Sequence, residues 1–383
     1  MTGPVTGPVT GPVTGPGIRP ATGPVSGRAI GARAPRRPRT WLLRGRGRSI
    51  RLRRRTVWVL LGTTVLTLAF AVLALMLGDY DVSPRQVVAA LGGGGRDPLA
   101  SYFVTEIRLP RIVTALTVGS ALGASGAIFQ NVTGNPLGSP DIIGFTTGAA
   151  TGALVQIVVV GGDTNAVALG AALGGIGTAA VVWLLTRPHG LTGQRLVLVG
   201  IGVGATLSAI NTLLVARADL GDAQDAAQWL AGSFDTVLWP RATVVLVSVL
   251  VLLAAALALA RPLQLLTLGD DVARGVGIRA QWVRTAAVLV GVALVSVATA
   301  AAGPVAFVAL AAPQVSRRLS ALPVPGLAGS AATGAFLVMG SDLLGQHVAP
   351  THLAVGVVTG ALGGVYLIGL LVVEWRLVEG RRG

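Results

Sequence analysis

The chain has 383 residues, 52% of them hydrophobic and 12% charged, a formal net charge of +15 and no cysteine. That length would suit two or three soluble domains, but apolar runs close to the roughly 20 residues that span a bilayer exclude this reading. Without cysteine there is no disulfide, thiolate zinc site or thiol nucleophile. Residues 57–77, 166–185, 244–259 and 286–302 are nearly free of charge, so the expected fold class is all-α, a polytopic membrane protein. Every basic side chain other than histidine is arginine, which reflects base composition rather than function.

Residues 2–16 repeat the unit Thr-Gly-Pro-Val, which returns at 22–25. Proline and glycine every few residues prevent a helix or a packed core, so residues 1–55 are expected to be a disordered, arginine-rich extension. Thirteen arginines and no acidic residue precede Thr56, directly before the first apolar run. Positive charge flanking a span favours the cytoplasmic side, so the N-terminus is expected inside. The arginine run 44–55 is read as a topology determinant, with no nucleic-acid partner.

Ten spans follow from hydropathy, at about 56–77, 105–128, 142–161, 165–186, 194–216, 241–260, 283–302, 305–320, 327–345 and 353–373. They make a permease domain over 56–375 and leave 376–383 as a cytoplasmic tail. Strict alternation puts Arg187, Arg195, Arg261, Arg274, Arg279, Arg284, Arg317, Arg318, Arg376, Arg381 and Arg382 inside. The loop 219–239, with Asp219, Asp222, Asp225 and Asp235, falls outside. Arg217 and Arg241 flank that loop as exceptions, and Arg85, Arg96, Arg108 and Arg111 form an outward cluster that the rule does not explain.

Gly119/Gly123, Gly170/Gly174, Gly200/Gly204 and Gly356/Gly360 have the spacing that lets helices approach closely in lipid. Gly200 and Gly204 share a helix with polar Ser208 and Asn211, and these four residues are the candidates for a translocation path. No GxxxxGK[ST], HExxH or GxSxG pattern occurs, and His189, His347 and His352 lack ligand spacing. No catalytic residue, metal or cofactor is therefore expected in this chain. Any ATP would be bound by a partner subunit.

Four segments carry a family resemblance. The first is Arg108-Leu-Pro-Arg111 with Gly119, Ala121-Leu122, Ser125-Gly126, Gln130, Asn135-Pro136-Leu137-Gly138-Ser139-Pro140, Gly144 and Gly148. The second is Trp229-Leu230-Ala231-Gly232-Ser233, and the third runs from Leu268-Gly269-Asp270-Asp271 to Gly277-Ile278. The fourth is Gly303-Pro304-Val305-Ala306-Phe307-Val308-Ala309-Leu310 with Pro313, Arg317, Gly329, Asp342, Leu353, Val355-Gly356, Thr359 and Gly363. Together and in this order the chain resembles the FecCD-type permeases, membrane subunits of ABC importers for ferric siderophores, haem and vitamin B12.

The resemblance implies the type II ABC importer permease fold in a bacterial inner membrane, with both termini cytoplasmic. The implied partners are two ABC ATPase subunits, an extracytoplasmic substrate-binding protein, and a second permease, identical or homologous, in the lipid bilayer. Arg108 and Arg111 would dock the binding protein through charge-assisted contacts to its carboxylates. Leu268, Gly269, Ala273, Arg274, Gly277 and Ile278 would form the element that couples to the ATPase. Asn135-Pro136 and Gly303-Pro304 read as structural turns. The implied substrate is a ferric siderophore, with haem or cobalamin as alternatives. An ion-coupled secondary transporter should carry ionisable residues at mid-span, and almost none are present. The chain departs from the family at Gln314, where His is usual, at Gln346, where Arg is usual, at Ala354 for Pro, at Thr351 and His352 for an acid, and at Gly364-Val365-Tyr366 for a Pro-containing turn.

Overall fold

The structure, a computed structural model, describes residues 40–45, 48–78, 80–95, 97–187, 193–348 and 352–379. The Thr-Gly-Pro-Val repeat, Arg96, His189, Thr351 and the end of the tail lie outside the described residues. β1 (Thr40–Gly45) and β2 (Arg48–Arg53) pair as an antiparallel hairpin. The extension expected to be disordered up to residue 55 is therefore structured over its last part. The physical reason is the alternation Ile50-Arg51-Leu52-Arg53, which has the period of a strand.

Helix α1 (Arg54–Met76) follows at once, then the short α2 (Pro84–Leu91), whose Ser83 and Gln86 close a reciprocal capping box. The next helix is longer than its expected span. It starts as α3 (Pro98–Tyr102), capped by the Asp97 carboxylate on Leu99 N and Ala100 N. It passes through a widened turn at Phe103–Arg108 and continues as α4 (Leu109–Thr133). Pro110 lacks an N–H and would crowd the carbonyl four residues back, which accounts for the widened turn just before it.

The remaining helices are α5 (Phe145–Leu154, extended by a wide turn to Val160), α6 (Thr164–Thr186), α7 (Gly193–Arg217), α8 (Leu220–Ala231), α9 (Trp239–Leu266) and α10 (Asp270–Gly275). They are followed by α11 (Ala280–Ala302), α12 (Val308–Ser320), α13 (Leu327–His347) and α14 (Val355–Glu379). A helix stands at each of the ten expected positions. Seven of the described helices are long and apolar enough to cross a membrane: α1, the continuous α3–α4, α6, α7, α9, α11 and α13. Phe145–Val160 and Val355–Gly369 are shorter apolar helices. With 13 residues, α12 is about 20 Å long and crosses only part of a hydrocarbon core of about 30 Å.

At the centre stands α4, buried almost all round by α9, α11, α12 and α13. Its small residues permit this. A Cβ on Gly119 or Gly123 would collide with the backbone of Gly334 or Ser330 on α13, and one on Gly126 with Ala309 on α12. Lipid tails are as apolar as the helices, so close backbone approach supplies association that the hydrophobic effect cannot. Gly170 and Gly174 on α6 do the same against Gly152 and Gly148 of α5.

The loops sort into two ends. At one, Trp239 Nε1 donates to Thr105 O (2.7 Å), Arg241 to Thr164 O (2.7 Å) and Ser233 N to Ala302 O (2.9 Å). At the other, Gln314 Nε2 donates to Pro136 O (2.7 Å), Asn131 Nδ2 to Pro325 O (3.1 Å) and Arg55 Nε to Leu319 O (2.6 Å). These are the two groups of loops that strict alternation of ten spans assigns to opposite sides of the bilayer. They are called below the Asp235 end and the Asp270 end.

Candidate functional site

At the Asp235 end the two arginines of the Arg-Leu-Pro-Arg motif have different surroundings. Arg108 is 8% exposed, and its guanidinium donates to Leu75 O (2.8 Å) and Tyr80 O and lies 5.9 Å from the centre of the Phe103 ring. It stands at the end expected for it, but its guanidinium is turned into the bundle and not towards solvent. It directly precedes α4 inside a continuous helix, and its charge serves the Leu75 carbonyl at the end of α1 and the Tyr80 carbonyl just beyond it. Arg111, one turn further, grips Asp342 with two bonds, Nε to Oδ2 (3.0 Å) and NH2 to Oδ1 (2.7 Å), and reaches Asp235 with NH1. The Asp342 side chain is 2% exposed and that of Asp235 is 55% exposed. Gln346, one turn along α13, adds a bond to Asp342 Oδ2 (2.8 Å), so the residue standing where the family has arginine supports this pair.

Asp235 itself is held by a tight turn in which Ser233 Oγ donates to its Oδ2 (2.6 Å) and its own N–H donates back to Ser233 Oγ (3.1 Å). Burial works against its charge, but the Ser233 hydroxyl and the Arg111 guanidinium outweigh it and hold the carboxyl below the usual range. Asp235 and the Arg111–Asp342 pairing were not singled out by the sequence reading. The available signal was Asp342 itself, because a carboxylate in an apolar helix needs an opposite charge.

At the Asp235 end Gly303 has φ of 72°, and a Cβ there would strike the Trp229 carbonyl. Pro304 O in turn lies against Gly356 at the start of α14. The Gly303-Pro304 turn thus joins three elements and is structural. Gly360, the partner of Gly356 in the sequence pattern, faces open space.

At the Asp270 end, α4 terminates at Gly134 in the left-handed region, and Asn135 Oδ1 accepts Leu137 N (2.9 Å) to close the following turn. Pro136 O accepts from buried Gln314, which gives that departure from the family a defined role. Beyond α9 the chain makes the short helix α10 between Gly269 and Gly277, both with positive φ of 107° and 82°. Ala273 is fully buried and Ile278 packs on the core. Leu268, Val272 and Val276 are exposed, as is the side chain of Arg274. Arg284, in the second turn of α11, clamps Asp270 through two bonds of 3.0 and 2.6 Å. Hydrogen bonding to Arg284 is the main reason the Asp270 carboxyl lies below its usual range. The result is an apolar, exposed knob on a rigid mount.

The four path candidates separate. Gly200 and Gly204 are packing positions, since a Cβ on either would press on Ile143 or Gly144. Asn211 is partly buried and lies 3.4 Å from Thr147 O. Only Ser208 is exposed, together with Gly202, Ala205, Thr206, Ala209 and Thr212. Leu198, Ile201 and Leu213 are exposed on the same side, so this face of α7 mixes large apolar with small and hydroxyl-bearing residues, and among the described residues no helix of the same chain covers it.

Residues 66–373 match the FecCD transport family. The chain belongs to this family. Ferric enterobactin transport system permease protein FepG of Escherichia coli (strain K12) is 45% identical over 300 residues, 78% of this chain and 91% of that protein. Achromobactin transport system permease protein CbrC of Dickeya dadantii (strain 3937) is 39% identical over 316 residues, 80% of this chain and 89% of its own length. A solved metal-chelate type ABC transporter in an inward-facing conformation covers 83% of this chain and 99% of that chain, with a TM-score of 0.74 and 30% identity. As a member of the FecCD family the chain is a multi-pass membrane permease subunit.

Proposed function

We propose that this chain is the permease subunit of an ABC importer that carries a ferric siderophore across the bacterial plasma membrane, driven by ATP bound and hydrolysed on separate subunits. The observation that carries the reading is the α10 mount: an exposed apolar knob of Leu268, Val272 and Val276 whose base is fixed by buried Ala273 and the Arg284–Asp270 clamp. Such a knob suits a groove on a partner. Force applied there passes directly into α9 and α11, the two helices it joins, and tilts them between two arrangements. The permease relatives for ferric enterobactin and achromobactin support the substrate class.

In this reading the Asp270 end is cytoplasmic, as are both termini, and the Asp235 end receives the binding protein. Arg111 is the docking arginine. Its Asp342 bonds are buried, whereas Asp235 is exposed and can be exchanged for a carboxylate of the binding protein. Arg108 positions the start of α4. A second permease covers the open face of α7, and the path runs between the two copies past Ser208. The test is uptake into proteoliposomes holding the permease, its ATPases and the binding protein, assayed with ferric enterobactin, ferric hydroxamates, haem and cobalamin. ATP-dependent uptake of a ferric siderophore is expected. Failure to recover an ATPase with the permease, or uptake indifferent to ATP, refutes the reading.

A further inference from the structure

Arg241 is unexplained by transport. It is one of the arginines that break the charge asymmetry, it stands in the first turn of α9 at the Asp235 end, and it takes no part in the Arg111 cluster. One N–H of its fork donates to Thr164 O at the start of α6 (2.7 Å), and the guanidinium borders a groove of ≈ 670 Å³ on the outside of the helix bundle. The groove runs between α6, α9 and α11. Its upper rim carries Arg241 and Asn165, and below them the walls are apolar, including Leu169, Ala172, Val244 and Val297.

The polarity is that of a lipid, charged at the loop end and apolar towards mid-membrane. From Thr164 to Ala172 the groove wall descends about 12 Å along α6, enough for the upper part of an acyl chain. A second protein helix fits poorly. Leu169 and Val244 project from the walls as bulky exposed side chains (61% and 66% exposed), and the small residues Gly170 and Gly174 of α6 are already used against α5. A fixed cation at the rim is matched by a headgroup of net negative charge, whose phosphate diester takes the guanidinium fork with no ammonium of its own to compete for it. Basic pockets between membrane helices are suited to anionic headgroups in this way.

We propose that this groove binds one anionic phospholipid in the leaflet at the Asp235 end, with its phosphate on Arg241 and Asn165 and an acyl chain between α6, α9 and α11. The lipid bridges three helices and holds α9 against α6 at the entrance end.

The experiment is native mass spectrometry of the purified permease after exchange into equal amounts of phosphatidylglycerol and phosphatidylethanolamine with identical acyl chains. Wild type should retain the anionic lipid with a roughly fivefold preference, the factor expected for one arginine near a membrane surface. Arg241→Gln should abolish the preference, Arg241→Lys should keep most of it, and Ala168→Phe, which fills the apolar part, should release the lipid while leaving Arg241 in place. Inorganic phosphate at millimolar concentration should not displace the lipid. Equal retention of both lipids by wild type, an unchanged preference in Arg241→Gln, full retention in Ala168→Phe, or displacement by phosphate alone would each overturn the proposal. If Arg241→Gln cannot be recovered folded, the wild-type preference and the Ala168→Phe variant still decide it.

Discussion

Two arginine–aspartate clamps, one at each end of the molecule, use the same chemistry in different surroundings. Arg111 holds Asp342 with two bonds at a site where the acid is sealed from solvent, and Arg284 holds Asp270 with two bonds where the acid is about one-third exposed. Burial raises the cost of separating the first pair, because each charge left alone in an apolar bundle is poorly solvated. The second pair is screened by water and contributes little to stability on its own. The first therefore locks α4 to α13, while the second aims a surface knob. On the proposed reading, stability and coupling are carried at opposite ends of the bundle.

The comparison breaks most visibly at Arg111. Arg111→Ala should cost about 3–5 kcal/mol, since it strands the Asp342 carboxylate in the bundle. The measurement is the thermal unfolding midpoint of the purified permease, and Arg111→Ala combined with Asp342→Asn should recover a large part of the loss. If the single and double variants are equally unstable, the pair is not what holds α4 to α13. Asp235→Ala tests the other arm. With Asp235 half exposed, screening limits the stability loss to about 1 kcal/mol. On the proposed docking role of Arg111, removing Asp235 as an internal competitor should tighten binding of the substrate-binding protein, read by titration in detergent or nanodiscs. Weaker binding would show Asp235 to be a docking residue itself.

Arg284→Ala sharpens the contrast from the Asp270 end. Its stability cost should fall within roughly 1 kcal/mol. Uptake per ATP hydrolysed should fall nonetheless, because α10 would no longer hold its angle to α11. A large drop in unfolding temperature with coupling unchanged would invert the assignment of the two ends.

The helix positions were legible because ten apolar runs separated by charged or turn residues leave few alternatives. The roles of particular side chains were less so. Gly119 and Gly123 read correctly as packing positions from spacing alone. Gly200 and Gly204 have the same spacing, but which neighbour they meet depends on the turn at Gly144, some sixty residues away in sequence. The burial of Arg108 was not legible, because hydropathy starts the span near residue 105, whereas the helix starts at Pro98 and sets Arg108 against the Leu75 and Tyr80 carbonyls. The start of α12 is set by Phe307 in the left-handed region, packed against Gly363, which no local pattern announces. Gln346 stands where arginine is usual in the family, yet in the fold it supports Asp342, because Arg111 reaches that carboxylate from another helix.

The smallest expected effect concerns pH. The Asp270 carboxyl is held below its ordinary value, chiefly by hydrogen bonding to Arg284. A depressed carboxylate contributes stability that is fully present above its unfolded value of about 3.9 and is lost as pH falls through the lower folded value. The clamp should therefore persist from neutral pH down to about 5 and open only below about 4. Amide hydrogen exchange in α10, corrected for intrinsic rate, should stay constant over the upper range and rise at the acid end. Arg284→Gln should remove the protection at every pH, because a neutral amide no longer favours the ionised form of Asp270. If the wild-type amides lose protection already between pH 6 and 7, a group of ordinary histidine range controls the loop instead of Asp270, and the exposed clamp is not what fixes α10.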